Sequence, residues 1–349
     1  MYYDSILIVS FGGPERTEDV MPFLENVLRG KNVPRERMER VAEHYYYVGG
    51  KSPINDQNRA LIAALQQELR QHGPDLPIYW GNRNWRPMLA DALRQMKTDG
   101  VKHALAFVTA AYSSYSSCRQ YRENIAAAQE AAGEGAPMVD KIRPFHNHRG
   151  FVDANVAQVR AALEKIPAER RNSAEIAYTA HSIPVGMAQR CAYESQLREV
   201  GRLVSAALGR DPDPLVFQSR SGPASQPWLE PDILDHVRAL KEQGATDLII
   251  APIGFVSDHM EVMYDLDIEA ANLCYELGIN MVRAQAAGTH PRFVTMIREL
   301  IQERLGDDPG RTAVGIYPAN PDFCPVDCCP TPVRPAITRA EPAAASARL

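Results

Sequence analysis

The sequence predicts an α/β protein built on parallel sheets and laid out as two successive units. Three observations predict it. Short continuous apolar runs, such as Ser5–Ser10 (SILIVS) and residues 248–251 (LIIA), have the length and composition of strands buried on both faces. Helically patterned segments of roughly 10 to 16 residues separate such runs, the spacing of right-handed strand–helix–strand crossovers. The plan is then repeated after an interruption near the middle of the chain.

The first strand runs straight into Phe11-Gly12-Gly13-Pro14, a turn that lets backbone approach a ligand closely. It is not a phosphate-binding loop, because neither Gly-x-Gly-x-x-Gly nor Gly-Lys-Ser follows. A helical, partly basic segment with Arg29 comes next, then residues 44–53 (HYYYVGGKSP), a loop crowded with aromatics. Rings beside glycines suit a flat ligand and serve equally well as plain packing. A helix over 56–71, a strand over 77–81, a helix over 88–98 and a strand over 103–109 follow. That last strand opens into Tyr112-Ser113-Ser114-Tyr115-Ser116-Ser117-Cys118, which enters a helix near Arg119.

Residues 143–151 (RPFHNHRGF) break the rhythm, which sets a first domain at 1–150 and a second at 151–315. The second domain repeats the plan: a helix over 152–165, then a strand over 175–179 opening into Ala180-His181-Ser182-Ile183-Pro184. A long helix to about residue 208 leads to strand Leu215–Gln218 and to Ser219-Arg220-Ser221-Gly222-Pro223, and a final strand covers 280–284. SFGGP and AHSIP each follow a strand, which suggests a duplication. Residues 316–349 form a tail rich in proline and alanine, with Cys324, Cys328 and Cys329 and an end, AEPAAASARL, that reads as disordered.

The run at 248–251 continues past Pro252 through Ile253 and Phe255, after which Ser257 and Asp258 supply helix-capping side chains. Glu261, Asp265 and Glu269 then fall at i, i+4 and i+8, along one helix face. Like charges at that spacing repel, so the row costs stability. A strand, loop, cap and carboxylate stripe in that order put acids at the carboxyl end of a sheet, where α/β sheets bind ligands. A solvated helix face has the same pattern; the adjoining Asp258 and His259 favour a site that handles cations or protons.

Bulk properties narrow the class. The 349 residues are 45% hydrophobic and 23% charged, as in a soluble globular protein with ample core. A net charge of −5 with scattered Lys and Arg argues against nucleic acid as partner. No apolar run approaches the roughly 18 residues of a transmembrane segment, and the first residues lack a basic leader and cleavage site. The six cysteines then read as reduced thiols or ligands, and a cytoplasmic location is expected.

His181 follows one strand of the second unit and Glu261 follows another. If both loops open on one crevice, an imidazole and a carboxylate face each other across it, able to remove protons or deliver a cation. A structural histidine is the plain alternative. Zinc is disfavoured because no His-x-x-x-His or Cys-x-x-Cys occurs, and Ser182 lies in no Gly-x-Ser-x-Gly elbow. His146 and His148 read as surface residues, and Cys191 and Cys274 as small buried hydrophobes within helices. Cys324, Cys328 and Cys329 lie in a proline-bounded loop where packing does not account for them. Adjacent cysteines bridge only with strain, so metal ligation is favoured, with Cys118 as the fourth thiolate an iron–sulfur cluster requires.

Taken together and in order, SFGGPE from Ser10, GGKSPIN from Gly49, TAHSIP from Thr179, QSRSGP from Gln218, PWLEPD from Pro227 and SDHMEVMYDLDIE from Ser257 resemble the ferrochelatases. The likeness is greatest to the bacterial coproporphyrin ferrochelatases and runs to about residue 310. It implies two similar Rossmann-like, doubly wound domains of the class II chelatase type, with a porphyrin cleft between them. It also implies insertion of ferrous iron, the substrate metal, into the macrocycle. His181 and Glu261 match the family's invariant His and Glu, and the resemblance places them on opposite sides of the porphyrin plane as catalytic and metal-contacting residues. Asp258 is implied as a supporting catalytic residue, and Asp265 and Glu269 as the acidic row of metal passage. Phe11, Arg29, Ser52, Arg83 and Tyr121 fall where relatives line the porphyrin cleft.

Insertion requires loss of the pyrrole protons and shedding of water from the metal. A neutral imidazole and carboxylates can take the protons while the acids attract the cation. Phe11 stands where many relatives place a Tyr or Met, so no axial oxygen is available there, and Tyr45–Tyr47 lack an arginine that some coproporphyrin enzymes use. Some relatives hold a [2Fe-2S] cluster through one cysteine of the first domain and three near the C-terminus, a division that Cys118, Cys324, Cys328 and Cys329 match. Coproporphyrin III is favoured over protoporphyrin IX because no apolar lip or membrane-docking helix is evident, and a monomer is expected. The alternatives are a cobalt or nickel chelatase on the same fold and a non-catalytic haem or porphyrin carrier.

Overall fold

Among the described residues, eight strands form two four-stranded sheets, parallel throughout. The structure is a computed structural model and describes residues 2–31, 33–222, 225–306 and 310–331. In the first sheet β1 (Ser5–Ser10), β2 (Ile78–Asn82), β3 (His103–Val108) and β4 (Met138–Lys141) lie in the order β2-β1-β3-β4. In the second, β5 (Glu175–His181), β6 (Leu215–Gln218), β7 (Asp247–Ala251) and β8 (Asn280–Arg283) lie in the order β6-β5-β7-β8. The wiring is the same in both halves, as the repeated motifs suggest. Every residue of β1 and of β7 is buried, which is why both read as unbroken apolar runs. β4 has a mostly half-exposed pattern with no such run, and the sequence did not announce it.

Helices flank both sheets. The first half carries α1 (Val20–Val27), α2 (Arg35–Tyr47), α3 (Ile54–His72), α4 (Leu89–Thr98) and α5 (Gln120–Ala132). The second carries α6 (Arg149–Leu163), α7 (Val185–Ala188), α8 (Tyr193–Ala207), α9 (Ile233–Glu242), α10 (Met260–Val262), α11 (Ala271–Leu277) and α12 (Pro291–Leu305). Two expectations change here. His44 to Tyr47 form the last turn of α2 rather than a loop, and the long helix expected up to residue 208 is broken into α7 and α8 with Cys191 between them.

The core does not stop at the change of sheet. One buried cluster runs from Ile6, Leu105 and Phe107 through Phe145, Phe151 and Phe293 to Ile176 and Ile249. Its aromatic centre is Phe107 against Phe145 at 5.1 Å between ring centroids, with Phe151 at 5.7 Å from Phe145. The boundary drawn at residue 150 therefore lies within packed side chains.

The same stretch overturns one reading. His146 and His148 are not surface residues; each is 1% exposed. His148 caps α6, its Nδ1 accepting from the Gly150 amide at 3.2 Å, and its Nε2 lies 3.7 Å from Glu299 Oε2. His146 Nδ1 lies 3.2 Å from Asn320 Nδ2, and the Asn147 amide donates to the Tyr317 and Pro318 carbonyls. Burial and the nearby Arg143 push His146 down to about 4, so it stays neutral. A polar stretch looked exposed because it is satisfied by the segment after α12, a partner no local pattern announces. The end AEPAAASARL lies outside the described residues. Among the described residues no helix is long and apolar enough to cross a membrane.

Candidate active site

In each sheet the chain leaves its first strand in one direction and returns on the other side, so a crevice opens at the carboxyl ends of β1 and β3, and of β5 and β7. His181 is the last residue of β5 and Glu261 follows the loop after β7, so the second crevice is flanked by both. Gly254 brings the loops together: its amide donates to the Thr179 carbonyl at 3.0 Å, and a Cβ there would lie 2.5 Å from Ala180 Cβ.

Neither Ser257 nor Asp258 caps the helix that follows. His259 does, with Nδ1 accepting from the Glu261 amide at 3.2 Å. Asp258 is held instead by Arg283 through two contacts of 3.1 and 3.2 Å, while its amide donates to Gln57 of the first half at 2.8 Å. After α10 the winding widens into a π-helical stretch, Met263–Ala270. Carboxylates four apart fan out by about 40° per step on an α-helix, and the wider turn takes back part of that fan. Glu261, Asp265 and Glu269 thus remain one row. The sequence carried no signal for this change of winding.

His181 Nε2 lies 3.5 Å from Glu261 Oε2. This corrects the expected arrangement: a flat macrocycle between the two groups would need about twice the 3.5–4.0 Å of a carbon–carbon contact. As they stand the two side chains touch, with no gap for a ring between them. Both side chains remain reachable, His181 at 30% and Glu261 at 47% exposure. His181 Nδ1 faces the Ser182 carbonyl and must carry a proton. Burial would lower the His181 pKa, but the charge and hydrogen bond of Glu261 override it and raise it to about 9. Burial would likewise raise Glu261, and the His181 cation holds it at about 2 instead. At neutral pH the pair therefore rests as imidazolium and carboxylate, not as the neutral imidazole expected. Asp265 is raised to about 7, first by burial and then by the Glu261 and Glu269 charges.

In the first half, just beyond β2, Arg83 lies between two rings, 5.4 Å from the Phe11 centroid and 4.9 Å from that of Tyr121. Its Nη1 donates to the Ser116 carbonyl at 3.3 Å, and its Nε is buried without a partner. Arg29 is exposed just after α1. Two expected porphyrin contacts are not presented to a ligand. Ser52 is 2% exposed, packed under Gly13, and Tyr121 is buried beneath Arg83.

Two aromatic residues near the acids were missed. Tyr45 is close enough to Glu261 that the carboxylate, with burial as the larger cause, raises its phenol. Tyr264, between two acids in sequence, stacks on His44 of the first half with centroids 3.8 Å apart and planes 8° from parallel.

Cys118, Cys324, Cys328 and Cys329 line a single cavity of about 220 Å³ with Arg119, Arg122 and Lys141. Cys328 and Cys329 Sγ are 3.6 Å apart, and Cys329 takes a left-handed φ of 50°. A hydrogen bond from Cys324, aided by the Lys141 and Arg122 cations against the cost of burial, lowers Cys118 to about 6. Among the described residues no group of three or more His, Cys, Asp and Glu side chains is drawn together tightly enough to hold a metal ion.

Known proteins were compared with this chain. A ferrochelatase family model matches residues 3–305. The chain is 59% identical over 346 residues to a ferrochelatase of Rhodopirellula baltica, covering 99% of this chain and 98% of that one. It is 48% identical over 362 residues to a coproporphyrin III ferrochelatase of Streptomyces coelicolor, covering 97% and 96%. Among solved structures, SirB from Bacillus subtilis with Fe3+ superposes with a TM-score of 0.53 at 12% identity, covering 87% of this chain and 98% of that one. A cobalt complex of the sirohydrochlorin chelatase SirB from the subspecies spizizenii gives 0.51 at 11%, with 89% and 99% covered. At such identities these two speak for the fold alone, that of the class II chelatases. The chain belongs to the ferrochelatase family.

Proposed function

We propose that this enzyme inserts ferrous iron into coproporphyrin III, with His181 and Glu261 as its catalytic pair. The observation that carries the reading is the 3.5 Å contact between that pair at the second crevice, at the head of the Asp265 and Glu269 row. The acids draw the cation inward through Glu269 and Asp265. At rest Glu261 keeps the proton on His181. A divalent cation reaching Glu261 offsets the carboxylate charge, His181 passes its proton to water at its exposed edge, and the freed imidazole takes the two pyrrole N–H protons in turn, handing each on to water as the metal replaces them. In this reading pair and row share one side, so metal delivery and proton removal occur on the same face of the ring. Phe11 and the Arg83 cation stand together in the first half, where they suit a flat, propionate-bearing ligand. Arg29 and the neighbouring Lys31 add positive charge for the propionates, whereas Ser52 and Tyr121 act by holding Gly13 and Arg83 in place. Asp258 steadies the Glu261 loop through Arg283.

The preference for coproporphyrin III is supported by the relatives that carry that name, such as the Streptomyces coelicolor enzyme. The experiment is iron insertion by His181→Ala on coproporphyrin III and protoporphyrin IX, with porphyrin affinity measured alongside. A rate loss of about 10² to 10⁴ with affinity retained is expected. Full activity overturns the assignment, and faster turnover on protoporphyrin IX overturns the substrate. A cobalt or nickel chelatase would show itself in metal competition. A carrier would be indifferent to Glu261→Gln. The same reading takes the enzyme as a cytoplasmic monomer, which light scattering and cell fractionation test.

The same reading extends to a [2Fe-2S] cluster: four cysteines line one cavity with Arg119, Arg122 and Lys141, cations that suit an anionic centre taking two thiolates per iron, and their thiols would draw together on binding it. Cys118, Cys324, Cys328 and Cys329 would hold it, and it would supply a redox-active cross-link between the segment after α12 and the start of α5. Anaerobically purified protein should be coloured and contain iron and sulfide; colourless protein lacking both removes the cluster.

A further inference from the structure

The carboxylate row is gripped from the side by a turn with an unusual backbone. β6 ends at Gln218, and the next residue, Ser219, takes φ 62°, a left-handed conformation that disfavours any residue with a Cβ. Such a conformation persists where the surroundings over-determine it. Here it aims the Ser219 hydroxyl at the Asp265 carboxylate, where Oγ donates to Oδ2. Gln218, buried to 1% exposure, sends one Nε2 to two acceptors, the Glu261 main-chain carbonyl at 3.1 Å and the same Asp265 Oδ2 at 3.4 Å. The strand end thus ties Glu261 to Asp265 across the start of the π-helical stretch. Both side-chain contacts end on Oδ2, which leaves Oδ1 outside the grip.

We propose that Ser219, backed by Gln218, is a positioning residue for metal transfer: it fixes the Asp265 carboxylate between Glu269 and the His181–Glu261 pair. Two facts speak against a purely structural role. Glycine would satisfy this backbone without strain, so the serine is there at a conformational cost. Its hydroxyl reaches a member of the acidic row rather than closing its own turn. Without the grip, Asp265 is free to rotate away from the row, and a cation leaving Glu269 has no fixed oxygen to meet. The inference rests on the iron-insertion reading above.

The test is steady-state insertion with ferrous iron varied at saturating coproporphyrin III, repeated with porphyrin varied, and a thermal melt of each variant. Ser219→Gly removes the hydroxyl and relaxes the backbone. Its KM for iron should rise about tenfold, the loss of one hydrogen bond to a charged group, while porphyrin KM stays within about twofold. Its Tm should equal or exceed the parent's, as a strained position given to glycine allows. Ser219→Asn tolerates the left-handed backbone and offers an N–H donor, so its iron KM should fall back to within about threefold of the parent's. A glycine variant with the parent's iron KM, a porphyrin KM that climbs as steeply, or an asparagine variant no better than glycine each overturns the inference. His181→Ala, assayed in parallel, separates the two claims. Loss there with an unmoved Ser219→Gly sinks only the positioning role; full activity there sinks the iron-insertion reading itself.

Discussion

The two halves have the same strand order and opposite chemistry. After β1 the chain makes Phe11-Gly12-Gly13, and its crevice is walled by rings and by Arg83. After β5 it makes His181-Ser182, and its crevice is walled by an imidazole and three acids. Where corresponding loops touch, they are fastened: Tyr112, after β3, donates its hydroxyl to the Ile253 carbonyl, after β7, at 2.7 Å. The difference teaches that the scaffold fixes where a site forms and leaves its chemistry to a few residues beyond the strand ends. In our reading one copy holds a flat anionic ligand and the other delivers the cation.

The comparison can be broken first at the shared core. Arg143 and Glu303 are a nearly fully buried bidentate pair at 2.7 and 2.9 Å, joining the first half to α12. Arg143→Met leaves Glu303 without that partner and should cost about 3–5 kcal/mol. Because one core serves both halves, urea should unfold the protein in a single transition that shifts as a whole. Two transitions, only one of them moved, would show that the halves are separable.

A smaller effect tests two close-packed glycines, one beyond β1 and one beyond β7. A Cβ on Gly13 would lie 2.7 Å from Ser52 Cβ, and one on Gly254 2.5 Å from Ala180 Cβ. Each change to alanine should cost about 1–3 kcal/mol, whereas Gly186→Ala, with nothing within 4 Å, should stay within about 0.5 kcal/mol. Only Gly254→Ala should also move the titration of His181, since only that glycine packs on β5; an equal shift in Gly13→Ala would sink the division of labour.

The smallest effect is electrostatic. His181 is raised from 6.5 to about 9, so the stability from its pairing is complete below about 6.5 and lost as pH rises through about 9. Glu261 is lowered from 4.5 to about 2, so its share is complete above about 4.5 and lost as pH falls through about 2. The stability gap between the parent and Glu261→Gln should peak between about pH 4.5 and 6.5, and solvent screening keeps it small. NMR titration of the ring should place His181 well above 6.5 in the parent and lower in Glu261→Gln; no difference between them would refute the pairing.

Much of the fold was legible because β1, β5 and β7 are buried on both faces, which leaves a continuous apolar signature. So was the meeting of His181 and Glu261, since both follow strands and a parallel sheet gathers such ends. Their direct contact, with no gap for a ring between them, was not legible, because it depends on the close approach of Gly254 to Ala180, a contact between segments distant in the chain. Ser52 reads as exposed and polar but lies beneath Gly13, and His146 and His148 read as exposed although the segment after α12 covers the first and α12 itself meets the second. Cap chemistry misled in another way. Ser and Asp are the usual capping residues, yet Asp258 is drawn off by Arg283 and His259 takes the position.

The stack of His44 on Tyr264 joins the end of α2 to the very winding that bears the acids. Tyr264 directly precedes Asp265, so the contact anchors the backbone next to that carboxylate. One pair of rings thus moors the carboxylate-bearing coil of one half to a helix of the other.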